Sequence, residues 1–174
     1  MEFNKVVSNP MLMGTIQLMK ADPSPEHKNM FVNEMMKSQF MSPAIVEPKP
    51  EADGEGKLKV APGSKIQFPM LTAPDGKRFC MAFTDKMEYE KWKEAQKASF
   101  FALSLDELAA MVLRKDSQAL GFVINPFSEN IVVPREMLAS LMAAKLAKMK
   151  EAQEKKSAQE QKKTQEHAGK PEQV

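Results

Sequence analysis

One cysteine and two histidines are all the soft metal ligands that 174 residues contain. Cys80 has no second thiol for an intramolecular disulfide or a cysteine-based zinc site. His27 and His167 stand near opposite ends of the chain, without ligand spacing, so no metal and no cofactor is expected. An excess of one charge is missing too. Lys and Arg total 25 against 23 Asp and Glu, a net charge of +2. A nucleic-acid binder of this size shows a clustered basic face, whereas here Lys is interleaved with Glu. Long apolar runs are absent. The early run MLMGTIQLM, Met11 to Met19, is about half a membrane span. It follows Asn9-Pro10 rather than a basic segment, and no small-residue cleavage site comes after it. The expectation is a soluble, cytoplasmic protein. After Met149 there is no Leu, Ile, Phe, Met or Trp. A core domain is therefore expected over 1–149, including a Pro- and Gly-rich loop at 48–64. A charged Lys/Glu/Gln tail over 150–174 is expected to be partly helical or disordered.

The remainder patterns well. Asn9-Pro10 reads as an N-cap and first helical residue, with Leu12, Ile16 and Met19 on one face. A second helix is expected from Glu26 to Lys37. Eight of the fifteen Met lie in the first 41 residues; they suit either core filling or an adaptable partner groove. QFMSPAIVE, Gln39 to Glu47, reads as a strand, and Pro43 places it at a sheet edge. A short strand is possible at Lys57 to Val60. Around Ala73-Pro74-Asp75-Gly76 two apolar segments form a hairpin, with Gly76 taking a positive φ. Phe79, Met81 and Phe83 alternate with Arg78, Cys80 and Ala82, which predicts one buried face.

Asp85 and Glu88 have capping-box spacing for a helix from Lys86 to Gln96. Ser104 and Glu107 form a full capping box, and Leu103 and Leu108 the staple beside it. Leu105, Leu108, Ala109, Val112 and Leu113 supply the buried stripe of that helix. Phe100–Leu103 and Leu120–Ile124 are apolar on both faces and predict a parallel βαβ unit. Ile131 to Val133 returns as a second hairpin, and Pro134 opens a long C-terminal helix.

No catalytic constellation emerges. Arg78 on the same strand face could lower the pKa of Cys80, but a small inert residue explains Cys80 better. Gly54 and Gly56 lie in the acidic stretch EADGEG, which would repel a phosphate. The carboxylates Asp85, Glu88, Asp106 and Glu107 sit in first helical turns, where they favour the macrodipole. In GFVINPFSENIVVP, Asn125 precedes Pro and is expected extended, with Pro126 starting a type I turn. Phe127 is unexplained by the turn. It either folds onto the sheet or stands out for a partner.

The runs FPMLTAPDGKRFCMAFTDKMEYEKW, FFALSLDELAAMVL and GFVINPFSENIVVPREML resemble the N-terminal domain of the bacterial SseB family. The resemblance covers about Asn9 to Leu141. Its most specific piece is Val123-Ile124-Asn125-Pro126-Phe127 with Asn130; Asp75, Gly76, Phe83, Thr84 and Trp92 also match. Family members often carry a second, C-terminal domain where this chain has its Lys/Glu/Gln tail. The family is named for a serine-sensitivity phenotype and has no established enzymatic activity, so the resemblance implies a non-enzyme.

The expected fold is α+β, a single domain whose mixed β-sheet holds two hairpins and a βαβ unit, packed by helices. The expected role is a non-catalytic interaction or regulatory module with a protein partner, no membrane and no nucleic acid. Phe127, Asn130 and Arg78 are its candidate contact residues. Asp75, Gly76, Ser104, Glu107, Asn125 and Pro126 are read as turn and cap residues. Two alternatives remain: a small-ligand or enzyme pocket at strand ends near Thr84, Ser104 and Asn125, and weak RNA or single-strand binding through KRFCMAF.

Overall fold

A proline in the first turn, with a polar residue before it, starts both N-terminal helices. The computed structural model describes residues 1–52 and 58–168. Helix α1 is Pro10–Ala21 and α2 is Pro25–Lys37. Ser24 caps α2 by accepting from the His27 amide. Asn9 occupies the cap position of α1, but its side chain does not cap. Its Nδ2 instead donates to the carbonyls of Gln39 and Thr84, each at 2.7 Å. Leu12 and Ile16 are buried as their spacing predicts, together with Phe31 and Met35 of α2.

Ten strands follow one another as β1 (Glu2–Phe3), β2 (Gln39–Glu47), β3 (Glu51–Ala52), β4 (Leu58–Lys59), β5 (Lys65–Gln67), β6 (Met70–Thr72), β7 (Arg78–Ala82), β8 (Ser99–Ser104), β9 (Ala119–Ile124) and β10 (Ile131–Pro134). Helices α3 (Lys86–Glu90), α4 (Leu105–Leu113) and α5 (Arg135–Ala168) complete the described chain. One sheet has the order β1-β8-β2-β5, another β10-β9-β7-β6, and β3 pairs with β4. The expected strand at Lys57 to Val60 is present as β4; Lys57, Gly54 and Gly56 lie outside the described residues. The fold is α+β with a mixed sheet and a long C-terminal helix.

Two expectations are corrected here. Gln39–Glu47 is an interior strand, with β8 on one side and β5 on the other. Pro43 is tolerated because its side of β2 changes partner there. Met41 exchanges two backbone bonds of 2.9 Å with Phe83, and pairing with β5 begins only at Ile45. The nitrogen of Pro43 points, by strand alternation, into the gap between them. The Met41–Phe83 bridge also joins the two sheets. The second correction concerns the parallel pair. β8 and β9 lie in different sheets, and the parallel partner of β9 is β7. Both β8 and β9 are interior strands, which is why both read as apolar runs.

The Asp75-Gly76 hairpin forms as read. Leu71 opposes Phe79, Gly76 takes φ +82, and its amide closes the turn on the Ala73 carbonyl. One-face burial along β7 does not hold. Cys80, Met81, Ala82 and Phe83 are all buried, since both faces of that end are covered. Helix α3 is shorter than expected. The Tyr89 hydroxyl lies 3.2–3.4 Å from the carbonyls of Ala95, Ala98 and Ser99. The chain after Glu90 thus folds back over the ring through i→i+3 turns. Where β10 meets β9, Gly121 takes φ +154, and a Cβ there would lie 2.2 Å from the Val133 carbonyl oxygen. Only glycine allows that approach.

The chain divides into two compact units, Met1–Leu138 and Ala139–Val174. The second holds the remainder of α5, on which Leu146 and Met149 are exposed. Among the described residues no helix is long and apolar enough to cross a membrane.

Candidate functional site

The turn from Asn125 to Asn130 joins β9 to β10 at one end of the parallel pair. Its first residue is not extended. Asn125 takes φ +48 despite the following proline, and Asn130 takes φ +50. Asparagine tolerates the left-handed region better than other residues with a Cβ. The Asn125 carbonyl accepts from the amides of Ser128 (3.1 Å) and Asn130 (2.9 Å). The first bond is the Pro126-Phe127 turn; the second closes the loop at its neck.

The Asn125 side chain explains the rest. It is fully buried. Its Oδ1 accepts from the Thr84 amide at 3.0 Å, and its Nδ2 donates to Thr84 Oγ1 at 2.9 Å. Thr84 Oγ1 also lies 2.9 Å from Asp85 Oδ2. Asn9 then holds the Thr84 carbonyl from the other side. Amide and hydroxyl groups 41 positions apart therefore lock the end of β7 to the end of β9. Satisfied on every side, this buried network is rigid.

Three further contacts fix the loop. Glu129 accepts from Gln17 at 3.0 Å and pairs with Lys20 of α1. The Ser128 hydroxyl donates to Glu88 of α3, which also pairs with Lys91. Phe127 lays one ring face on buried Phe83, centroids 6.3 Å apart and planes 18° from parallel. The residue is nevertheless 43% exposed. Behind Phe83 the rings continue through Tyr89 (5.4 Å) to Trp92 and Phe100.

The candidate contact residues are thus partly together. Phe127 and exposed Asn130 share the turn. Arg78 pairs with Ala119 at the opposite end of the parallel pair and donates to Gln118. Asp75, Gly76, Ser104 and Glu107 are where turn and cap chemistry put them. Ser104 Oγ accepts from the Glu107 amide, and Glu107 returns the bond to the Ser104 amide at 2.8 Å. Thr84 and Asn125 bond to each other, and Ser104 caps α4. Glu88, Glu129 and Asn9 were not singled out as turn supports, and no local spacing signals them.

Acid–base chemistry finds no free group in this arrangement. Glu88 is held by Lys91 and Ser128, and Asp85 caps α3 by accepting from the Glu88 amide. Cys80 is buried, which pushes its thiol up to about 11, so Arg78 does not activate it. Burial likewise pushes Tyr89 up to about 12. Among the described residues every buried side-chain nitrogen and oxygen has a partner, and no cluster of His, Cys, Asp and Glu could hold a metal ion.

The sequence model of one family, described as the SseB protein N-terminal domain, matches residues 15–140. No curated protein and no solved structure matches the chain.

Proposed function

The chain belongs to the SseB family through its N-terminal domain, and from that premise we propose that it is a non-catalytic cytoplasmic interaction module. Its partner is a protein, and its contact element is the Asn125–Asn130 turn. One observation carries this reading. Phe127 is a half-exposed aromatic on a loop whose neighbours are tied to α1, α3 and β7. Exposed aromatics are rich in binding energy, and one already fixed in place loses little entropy on binding. Asn130, exposed beside it, supplies an amide for orientation.

The test is a pull-down at native expression with wild type, Phe127→Ala and Leu120→Ala. Leu120 is a comparably exposed apolar residue, 42%, on β9. Wild type and Leu120→Ala are expected to recover the same saturable protein partner, and Phe127→Ala to lose it. Recovery of no saturable partner, or undiminished recovery by Phe127→Ala, overturns the proposal. The Phe127→Ala protein stays folded, since stacking on Phe83 contributes only about 1 kcal/mol beyond area burial.

A further inference from the structure

The buried network behind the Asn125–Asn130 turn ends on a sulfur atom. Met13 Sδ lies 3.4 Å from both Asn125 Nδ2 and Thr84 Oγ1. Counting hydrogens shows which of the two it serves. The Thr84 amide donates to Asn125 Oδ1, which fixes the nitrogen end of the Asn125 side chain. The Thr84 hydroxyl has one hydrogen. The charged Asp85 Oδ2 at 2.9 Å takes it in preference to a thioether at 3.4 Å. Asn125 Nδ2 has two hydrogens. One goes to Thr84 Oγ1 at 2.9 Å, and the other has Met13 Sδ as its acceptor. Asn125 is fully buried, so bulk water does not stand in for that acceptor. A thioether accepts only weakly, and an oxidant can change it.

The same methionine borders open space. Met13 is half-buried and forms part of the wall of a cleft of about 410 Å³, with Val6, Asn9, Asp85 and Met87 around it. Hydrogen peroxide is little larger than water and can enter such a cleft. Transfer of one peroxide oxygen to a sulfur lone pair breaks the O–O bond, forms S=O and releases water. Sulfur gives up an electron pair, and the peroxide is reduced. The product cannot keep the present geometry. An N–H···O bond alone spans about 2.7–3.2 Å, which leaves no length for an S–O bond within the 3.4 Å between Sδ and Nδ2. The polar sulfoxide is drawn toward the cleft, and the second Asn125 hydrogen loses its acceptor.

We propose that Met13 is a site of oxidation by peroxide, and that its sulfoxide releases the Asn125–Asn130 turn from the end of β7. The turn carries Phe127, but the test reads the turn's own amides and holds whether or not a protein partner binds there.

The experiment treats the folded full chain with hydrogen peroxide. Peptide mass spectrometry reads oxidation at each methionine, and amide hydrogen exchange reads the network. Wild type, Met13→Leu and Met87→Leu are compared. Met87, 77% exposed, borders the same cleft and is the reference for oxidation of its wall alone. Leucine keeps the apolar volume at small cost. Met13 is expected to become the sulfoxide in folded wild type. Exchange of the Thr84, Ser128 and Asn130 amides, which all bond to Asn125, should then quicken about tenfold. Met87→Leu should respond like wild type. Met13→Leu lacks the sulfur, so treatment should leave its exchange where it started. The proposal fails if Met13 resists peroxide while Met87 is oxidised, if exchange is unchanged or slower once Met13 is oxidised, or if Met13→Leu quickens as much as wild type. The first two outcomes need only wild type, so the test stands even if Met13→Leu does not fold.

Discussion

Replacing Asn125 with alanine should be among the most damaging single changes to this fold, and its effect separates into two parts. The first is a hydrogen-bonding loss. Thr84 is fully buried, and its amide donates only to Asn125 Oδ1. Alanine leaves that N–H without an acceptor, which costs about 1–3 kcal/mol. The second is conformational. At φ +48 a residue with a Cβ and no local hydrogen-bonding side chain is strained by about 1–2 kcal/mol. Together they predict a loss of about 3–4 kcal/mol, a large share of the roughly 5–15 kcal/mol typical of a domain. Asn125→Gly tests the division. It keeps the bonding loss and relieves the strain, so it should be milder than alanine by about 1 kcal/mol. Urea unfolding reads both, followed by far-UV circular dichroism and by the fluorescence of the single tryptophan. That residue, Trp92, packs against Tyr89 at 6.2 Å. Coincident transitions with an unchanged urea slope justify comparing the free energies. An Asn125→Ala loss below about 1 kcal/mol would refute the buried-amide argument. Equal losses for glycine and alanine would refute the conformational one.

Gly121→Ala should destabilise at least as much, because its Cβ meets a backbone oxygen at 2.2 Å and a carbonyl cannot rotate aside. Thermal melting should show a loss beyond the roughly 1–3 kcal/mol of ordinary overpacking. Ser104→Ala removes half of the α4 capping box and should cost about 1 kcal/mol in the same assay. Alkali should destabilise the fold in two steps. Burial raises Cys80 from its ordinary 9.0 to about 11 and Tyr89 from 10.0 to about 12. The folded protein then holds protons that the unfolded chain has released, so the contribution of these two groups is complete below pH 9 and is lost as pH rises above it. Cys80→Ala should delay the onset of that fall toward pH 10, the step left to Tyr89. An onset that does not move with this variant would show that Cys80 titrates freely.

Local chemistry was legible where it is decided by neighbours in sequence. Asp75-Gly76, the Ser104–Glu107 box, the α4 stripe and the family motif could all be read from a few consecutive residues. Pairing between distant strands was not. Pro43 argued for an edge, because no pattern reveals that β2 changes neighbour at that residue. The apolar runs at 100–103 and 120–124 correctly signalled interior strands, but apolarity does not say which sheet a strand joins. Asn125 shows the limit most plainly. The rule for residues before proline pointed to an extended backbone, and the bonds from Thr84 outweighed it. A contact spanning 41 positions leaves no periodicity to find. Phe127 was posed as folded back or standing out, and it does both, stacking near Phe83 while remaining 43% exposed.

The guanidinium of Arg135 gives the chain a late point of completion. It reaches back across a hairpin to close the end of α4. During synthesis, α4 and β9 emerge well before the residue that finishes them. Until Arg135 has left the ribosome the Leu113 carbonyl at the end of α4 lacks this donor. The domain therefore gains this tie only once its last strand has emerged, and a fragment cut before Arg135 would lack more than a helix.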